Sequence, residues 1–89
     1  MNAYAVVADG NILSTGGKNR IDGSAYAGSS IQAQAGGQFD IKGDTTVTRG
    51  DISSSGAALL NIMGDDVIDG ISTSPRPSET DGKVTEPSP

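Results

Sequence analysis

The tripeptide Arg49-Gly50-Asp51 is the stretch of the sequence whose residue types most directly suggest binding chemistry. Integrin ligands display this tripeptide so that its carboxylate reaches the receptor's metal ion. The surrounding repeat favours a simpler interpretation, because turn residues fill the equivalent place one unit earlier, at 28–30, and one unit later, at 69–70. We therefore predict a turn between strands, with a receptor contact through Arg49, Gly50 and Asp51 as the alternative.

Three further stretches carry residue types used in binding or catalysis, and none has the spacing that the chemistry requires. The Gly-Gly-Lys-Asn run at 16–19 lacks the Gly-x4-Gly-Lys-Ser/Thr order of a phosphate-binding loop. Asp65, Asp66 and Asp69 offer oxygen ligands for Ca²⁺, but not with the spacing of an EF-hand loop. The serines at 53–55 have no histidine to act as a base. We predict no catalytic residue, no cofactor and no metal site.

The composition excludes several classes of function. No Cys and no His occur among the 89 residues, so disulfides, thiolate ligands and His-based acid–base catalysis are impossible. The net charge is −5 and no basic cluster is present, which argues against a nucleic-acid partner. The longest apolar run, residues 57–60, is far shorter than the about 20 residues of a membrane helix. We expect a non-enzymatic protein, made in the cytoplasm and without stable membrane insertion.

Isoleucine recurs along the chain at a nearly constant spacing of 9 to 11 residues. Ile-x-Gly recurs at 21–23, 41–43 and 62–64, which doubles the period to about 20 and is typical of a repeat architecture. Apolar and polar residues alternate within a unit, so that Ile31, Ala33 and Ala35 share one side of a predicted strand. The spacing is set by Ile12, Ile21, Ile31, Ile41, Ile52, Ile62 and Ile71.

These patterns predict an all-β protein, built as a β-helix over residues 1–71 from units of about 20 residues. The Pro- and Ser-rich tail, 72–89, is predicted to be disordered or extended. The predicted core residues are Ile21, Ile31, Ile41, Val47, Ile52, Leu60, Ile62, Ile68 and Ile71. The predicted turn glycines are Gly23, Gly43, Gly50, Gly64 and Gly70.

Such a core is thin for a monomer. Only 34% of the chain is hydrophobic, with one Phe, two Tyr and no Trp. Domains of this size bury about 60% of their unfolded surface and are marginally stable alone. Winding several chains together would enlarge the core and pair the strand edges left open at both ends. We expect an intertwined homotrimer, and a single-chain solenoid remains the open alternative.

Two segments, "DIKGDTTVTRGDIS" at 40–53 and "GDDVIDGIS" at 64–72, carry a resemblance to a known family. With the Ile-x-Gly units before them, they resemble the C-terminal triple-stranded β-helix of contractile-tail spikes, which include phage baseplate spikes and type VI secretion tips. The resemblance covers roughly residues 20–72. It implies a trimeric needle of a phage virion that pierces the host envelope and contacts other tail proteins.

Two departures from the family narrow this expectation. Family members usually carry an N-terminal oligonucleotide/oligosaccharide-binding domain, for which 89 residues leave no room. Many also bind iron through a His-x-His pair after the Gly-Ile-Ser, where residues 73–77 here contain no His. We therefore expect a separate spike or fibre shaft segment, with a capsid decoration or head-fibre protein as the alternative in the same structural class.

Replacing Ile62 with Asp tests the predicted core. We expect this change to destroy the assembly, because an unpaired carboxylate at the axis costs several kcal/mol in every chain. Light scattering measures the outcome. Trimers of unchanged mass in the Ile62→Asp variant would show that the predicted inward-facing residues are wrong.

Overall fold

The computed structural model describes residues 4–69 and 76–87, which form short β-strands joined by tight corners and contain no helix. No segment within these ranges is therefore a helix able to cross a membrane. The strands are β1 Tyr4–Ala8, β2 Ile12–Thr15, β3 Lys18–Ile21, β4 Ser24–Ala27, β5 Ile31–Gln34, β6 Gln38–Ile41, β7 Thr45–Val47, β8 Ile52–Ser55, β9 Leu59–Ile62, β10 Asp66–Ile68, β11 Ser78–Thr80 and β12 Lys83–Thr85.

Every third strand pairs in parallel, so the chain winds into a three-sided solenoid of about four turns. The first sheet has the order β1-β4-β7-β10, the second β2-β5-β8-β11 and the third β3-β6-β9-β12. Each residue lies beside its counterpart one turn later, as Ile31 does beside Ile52 and Ile41 beside Ile62. The prediction of an all-β, repeat-built β-helix is confirmed, and the repeat of about 20 residues is one turn.

The isoleucine spacing corresponds to columns of side chains inside the solenoid. Ile21, Ile41 and Ile62 align in the third sheet, and Ile31 and Ile52 align in the second. The structure buries seven of the predicted core residues: Ile21, Ile31, Ile41, Val47, Ile52, Leu60 and Ile62. Ile68 is partly buried against this cluster, while Ile71 lies outside the described residues. One chain thus forms an apolar interior by itself.

One residue of the alternating pattern departs from its predicted side. Ala35 was expected inside with Ile31 and Ala33, which are indeed buried, but Ala35 is exposed. Strand β5 ends at Gln34, and Ala35 then adopts a φ of 60° at the corner. The left-handed backbone of a tight corner interrupts the alternation of a strand, so the expectation for Ala35 was wrong.

Three corners per turn connect the sheets, and each corner stacks on the corner below. The first corner joins the first sheet to the second and comprises residues 9–11, 28–30 and 48–51 in successive turns. The second corner joins the second sheet to the third and comprises 16–17, 35–37, 56–58 and 81–82. The third corner leads back to the first sheet and comprises 22–23, 42–44 and 63–65. The predicted turn residues Gly23, Gly43 and Gly64 all lie at the third corner. Gly50 lies at the first corner, and Gly70 is outside the described residues.

Side chains connect successive corners by hydrogen bonds to the backbone of the next turn. At the third corner Asp44 N–H donates to Ser24 Oγ (3.0 Å), and Asp65 N–H donates to Asp44 Oδ1 (2.9 Å). At the first corner Ser30 N–H donates to Asn11 Oδ1 at 2.9 Å. These bonds satisfy N–H groups that the sheets leave free, which fixes the corners in register.

Residues 76–87, within the Pro- and Ser-rich tail, continue the solenoid. Strand β11 pairs with β8, with Ser78 beside Ser53, and β12 pairs with β9, with Lys83 beside Leu59. Val84 packs partly buried against the apolar interior. The last turn therefore includes sequence beyond the predicted boundary at residue 71.

Replacing Ala57 with Gly should stabilise the protein. Ala57 is exposed at the second corner with a φ of 64°, a conformation that costs a residue with a Cβ about 1 kcal/mol. We expect an increase of about 1 kcal/mol in the free energy of unfolding, measured by urea denaturation. The matched control is Ala58→Gly, since Ala58 is buried and its loss should lower stability by about 1 kcal/mol. Lower stability in both variants would contradict the left-handed corner.

Candidate functional site

The Arg49-Gly50-Asp51 tripeptide lies at the first corner, between β7 and β8, directly above residues 28–30. Thr48 Oγ1 donates to the Gly28 carbonyl at 3.0 Å, and Asp51 N–H donates to Ser30 Oγ at 3.0 Å. The Asp51 carbonyl accepts from Ile31 N–H at 3.1 Å. The residue before the tripeptide and the last residue of the tripeptide are thus bonded to the previous turn.

The Arg49 side chain reaches across two turns of the solenoid. Its Nη2 donates to the Asp9 carbonyl at 2.6 Å and lies 3.6 Å from Asp9 Oδ1. Both side chains are more than half exposed, so the ion pair itself adds little stability. The hydrogen bond to the Asp9 carbonyl lays the guanidinium along the corner.

Steric contact with the previous turn explains why residue 50 is a glycine. A Cβ on Gly50 would lie 2.1 Å from Ser30 Oγ and 3.0 Å from the Ser29 carbonyl oxygen. Ser30 Oγ is also the acceptor for Asp51 N–H, so it cannot move aside without losing that bond. Corner stacking therefore explains why a residue without a side chain stands at this position, with no need for a receptor.

The outer face of the third sheet carries a hydrogen-bonded carboxylate. Asp40 Oδ1 accepts from Asn61 Nδ2 at 2.8 Å and from Gln38 Nε2 at 3.0 Å. These two bonds, with smaller contributions from Lys42 and Arg20, lower the pKa of Asp40. Asp40 therefore stays ionised at neutral pH and links two neighbouring strands, a structural role for a group that is otherwise a candidate acid or base.

The first-turn end, formed by β1, β2 and β3, opens into a groove of about 520 Å³. Its lining is mixed, with apolar residues that include Val6, Ile12, Ile21 and Phe39 and polar residues Ser14, Thr15, Asn19 and Arg20. Val6 and Ile12 are only partly buried, whereas their counterparts one turn later, Ala25 and Ile31, are fully buried. Within the described residues, β1, β2 and β3 each pair on one side only, so three parallel strand edges border this groove.

The last-turn end, formed by β10, β11 and β12, differs sharply in chemistry. Asp66 pairs with the buried Thr45, and Glu79 pairs with the buried Ser54. Glu86 follows Thr85, the partner of Asn61, and so continues the column of Ile62. Residues in register point to the same side of a parallel sheet, so Asp66, Glu79 and Glu86 occupy inward-facing positions.

The three carboxyl groups of the last turn interact across the mouth of the solenoid. Glu79 Oε2 accepts from Val84 N–H at 2.6 Å, which draws Glu79 over the end. A hydrogen bond with Asp66, partial burial and the charge of Asp66 raise the pKa of Glu86 to about 7, while Arg76 opposes the shift. The folded chain thus holds a proton that the unfolded chain releases near pH 4.5, so this group makes stability fall as pH rises towards 7.

The serines at 53–55 and the aspartates beside β10 either bond to the backbone or lie at the surface. Ser54 is buried and donates to the Ala58 carbonyl at 2.8 Å, and its neighbours Ser53 and Ser55 lie on the opposite side of β8. Asp65 and Asp69 are exposed on either side of β10. Within residues 4–69 and 76–87, no three carboxylates are arranged to hold a metal ion.

Comparison with models of protein families, with curated proteins and with solved structures finds no match. The site must therefore be interpreted from its own geometry.

Sequence reasoning identified the Arg49-Gly50-Asp51 corner but missed the contrast between the two ends. The signal was present in part, because Ile21, Ile41 and Ile62 form a series whose next member is acidic. That member, Glu86, stands 24 residues after Ile62 instead of 20 or 21. The longer last turn obscured the series, and the pairing of β12 with β9 was needed to recognise it.

Gly50→Ala tests whether the tripeptide is fixed by packing. We expect it to lower the free energy of unfolding by about 1–3 kcal/mol, because the new methyl group displaces Ser30 Oγ from Asp51 N–H. Gly10→Ala is the matched control, since no atom lies within 4 Å of its added Cβ and its φ is not positive. Equal stability of the two variants, measured by thermal or urea unfolding, would mean that the corner is looser than described.

Proposed function

We propose that this chain is a non-enzymatic structural segment of a phage virion, a tail spike or fibre shaft that acts as a homotrimer. The observation that carries the proposal is the unbroken stacking of three parallel sheets whose corners are hydrogen-bonded from one turn to the next. The resemblance of residues 20–72 to contractile-tail spikes gives the proposal its biological setting.

Mechanical function is supported by the way each turn is held to the next. Backbone pairing along three faces and side-chain bonds such as Asp65 N–H to Asp44 Oδ1 act in parallel, so a load along the axis is shared among many bonds. The corners are short and stack on one another, with no long loop within residues 4–69. A repeat structure of this kind is rigid because every turn contacts its neighbours over its whole area.

Trimer formation is supported by the outer face of the first sheet. Val7, Tyr26, Thr46 and Val67 align in one outward column that crosses all four turns and carries no charge. Val7 is 65% exposed and Val67 is 51% exposed, and the Tyr4 ring lies 5.6 Å from that of Tyr26. By contrast, the outer face of the third sheet carries Lys18, Arg20 and Asp40. Burial of an uncharged column against two further chains would remove exposed apolar surface from water.

Two arrangements of three chains give the same mass. In the intertwined form predicted from the sequence, strands pair between chains in place of the intrachain pairs of the solenoid. In the lateral form, three complete solenoids pack through the first sheet around a common axis. The buried interior of the single chain favours the lateral form, because each chain already pairs β4 to β9 on both sides.

Light scattering on the purified chain tests the proposal. We expect three times the monomer mass of 8.9 kDa. Val7→Asp should reduce the lateral trimer to monomers, because it places a charge in the uncharged column. Leu13→Asp is the matched control, since Leu13 is a similarly exposed aliphatic residue in the first turn but lies on the second sheet.

The outcomes separate the arrangements. Trimers that survive both substitutions would support the intertwined form, and a wild-type monomer would overturn the trimeric shaft. Equal loss of assembly in both variants would mean that the first sheet has no special role. Circular dichroism confirms in each case that the β-structure persists.

A further inference from the structure

The two ends of the solenoid are geometrically complementary. All neighbouring strands are parallel, and within residues 4–69 and 76–87 the outer edges of β1, β2 and β3 and of β10, β11 and β12 have no paired strand. The edges at the last-turn end therefore have the direction and hydrogen-bonding pattern that the edges at the first-turn end could pair with. A second copy placed on the last turn would continue each sheet by the same pairing that joins the turns within one chain. Open parallel edges of this kind are templates for further strands.

The uncharged outward column of the first sheet also matches at such a junction. Val67 ends the uncharged column that Val7 begins, so the two exposed valines of adjoining copies would come into contact. Lys83 and Lys18 also share an outward column, but both are exposed to solvent, where repulsion is weak. Net charge favours head-to-tail contact over tail-to-tail contact, because residues 65–87 hold 6 acids and 2 bases (−4) and residues 4–22 hold 2 of each (0).

The inward columns do not match while the last turn is ionised. Asp66 ends the column that starts with Val6, and Glu86 continues the column that starts with Ile21. In a stack, each of these carboxylates would face an apolar side chain of the first-turn end and lose its water. Burial of an ionised carboxylate without a partner is costly, whereas the neutral acid is much easier to bury.

We propose that Asp66, Glu79 and Glu86 form a proton-dependent cap that blocks head-to-tail stacking of a second copy at neutral pH and admits it in acid. The occupant of the groove at the first-turn end is then the last turn of another copy of this chain. This inference concerns growth along the axis and does not depend on the trimer, which concerns contact between lateral faces.

The charges around the cap set the direction of the pH effect. The charged groups that face Glu86 are Asp66 on β10 and Glu79 on β11. Among the described residues, Arg76 is the cation near Glu86, because Lys83 points outward. The pKa of Glu86, about 7, means that its proton binds on mild acidification. Protonation of Glu86 removes one negative charge from the mouth. Stacking should therefore increase as pH falls below about 7.

Sedimentation velocity and light scattering at constant ionic strength, in steps from about pH 8 to about pH 4, test the cap. For the wild-type chain we expect a defined mass at pH 8 and an open-ended, concentration-dependent rise in mass in acid. The variant Asp66→Asn/Glu79→Gln/Glu86→Gln should stack already at pH 8 and lose most of the pH dependence. Neutral amides retain the shape of the carboxyl groups while removing the charge.

Two further variants separate the cap from general effects. Asp22→Asn/Asp65→Asn/Asp69→Asn changes the net charge equally but leaves the mouth intact, and it should behave as the wild type does. Ile12→Asp, added to the triple cap variant, places a charge in the groove at the other end and should abolish stacking. Circular dichroism verifies the fold of each variant before its mass is interpreted.

Three results would overturn the cap. One is an unchanged mass of the triple cap variant at pH 8, and another is equal growth in the charge-matched control, which would indicate only reduced repulsion. Loss of the pH response without growth would show that the carboxylates affect stability alone. Failure of the trimer is recognised separately, because a closed trimer has one fixed mass at every concentration, whereas a stack grows with concentration.

Discussion

The parallel pairing of each residue with its counterpart one turn later is the constraint on which the whole structure depends. It places Ile21, Ile41 and Ile62 in one column and Val7, Tyr26, Thr46 and Val67 in another, so each column has a single character along most of its length. Because pairing leaves no freedom to slip by one residue without exchanging inside for outside, a modest apolar content suffices to bury a continuous interior.

The same constraint explains the Arg49-Gly50-Asp51 corner. Gly50 lies against Ser30, Asp51 donates to Ser30 Oγ, and Arg49 reaches the Asp9 carbonyl two turns away. Contacts within the stack thus account for Gly50 and engage the Arg49 side chain, whereas Asp51 contributes through its backbone groups. The familiar motif arises here where polar, glycine-containing corners recur about every 20 residues.

The columns end differently at the two ends of the solenoid. The first turn leaves apolar side chains half-covered, whereas the last turn carries Asp66, Glu79 and Glu86 at inward-facing positions. Terminal turns with polar groups over the interior are a general way for repeat proteins to stay soluble. The polarity of the chain therefore gives the structure two ends of different chemistry, one with half-covered apolar side chains and one with carboxylates.

The sequence by itself determined the strand class, the repeat length and most of the interior, because isoleucine spacing and local alternation act over a few residues. It also indicated the corner at Arg49-Gly50-Asp51. The tertiary structure alone decided that Ala35 lies outside, that residues 78–80 and 83–85 continue two sheets, and that Glu86 stands above Ile62. These features depend on which strands pair across a turn of variable length, and pairing between distant residues is set by packing of the whole stack.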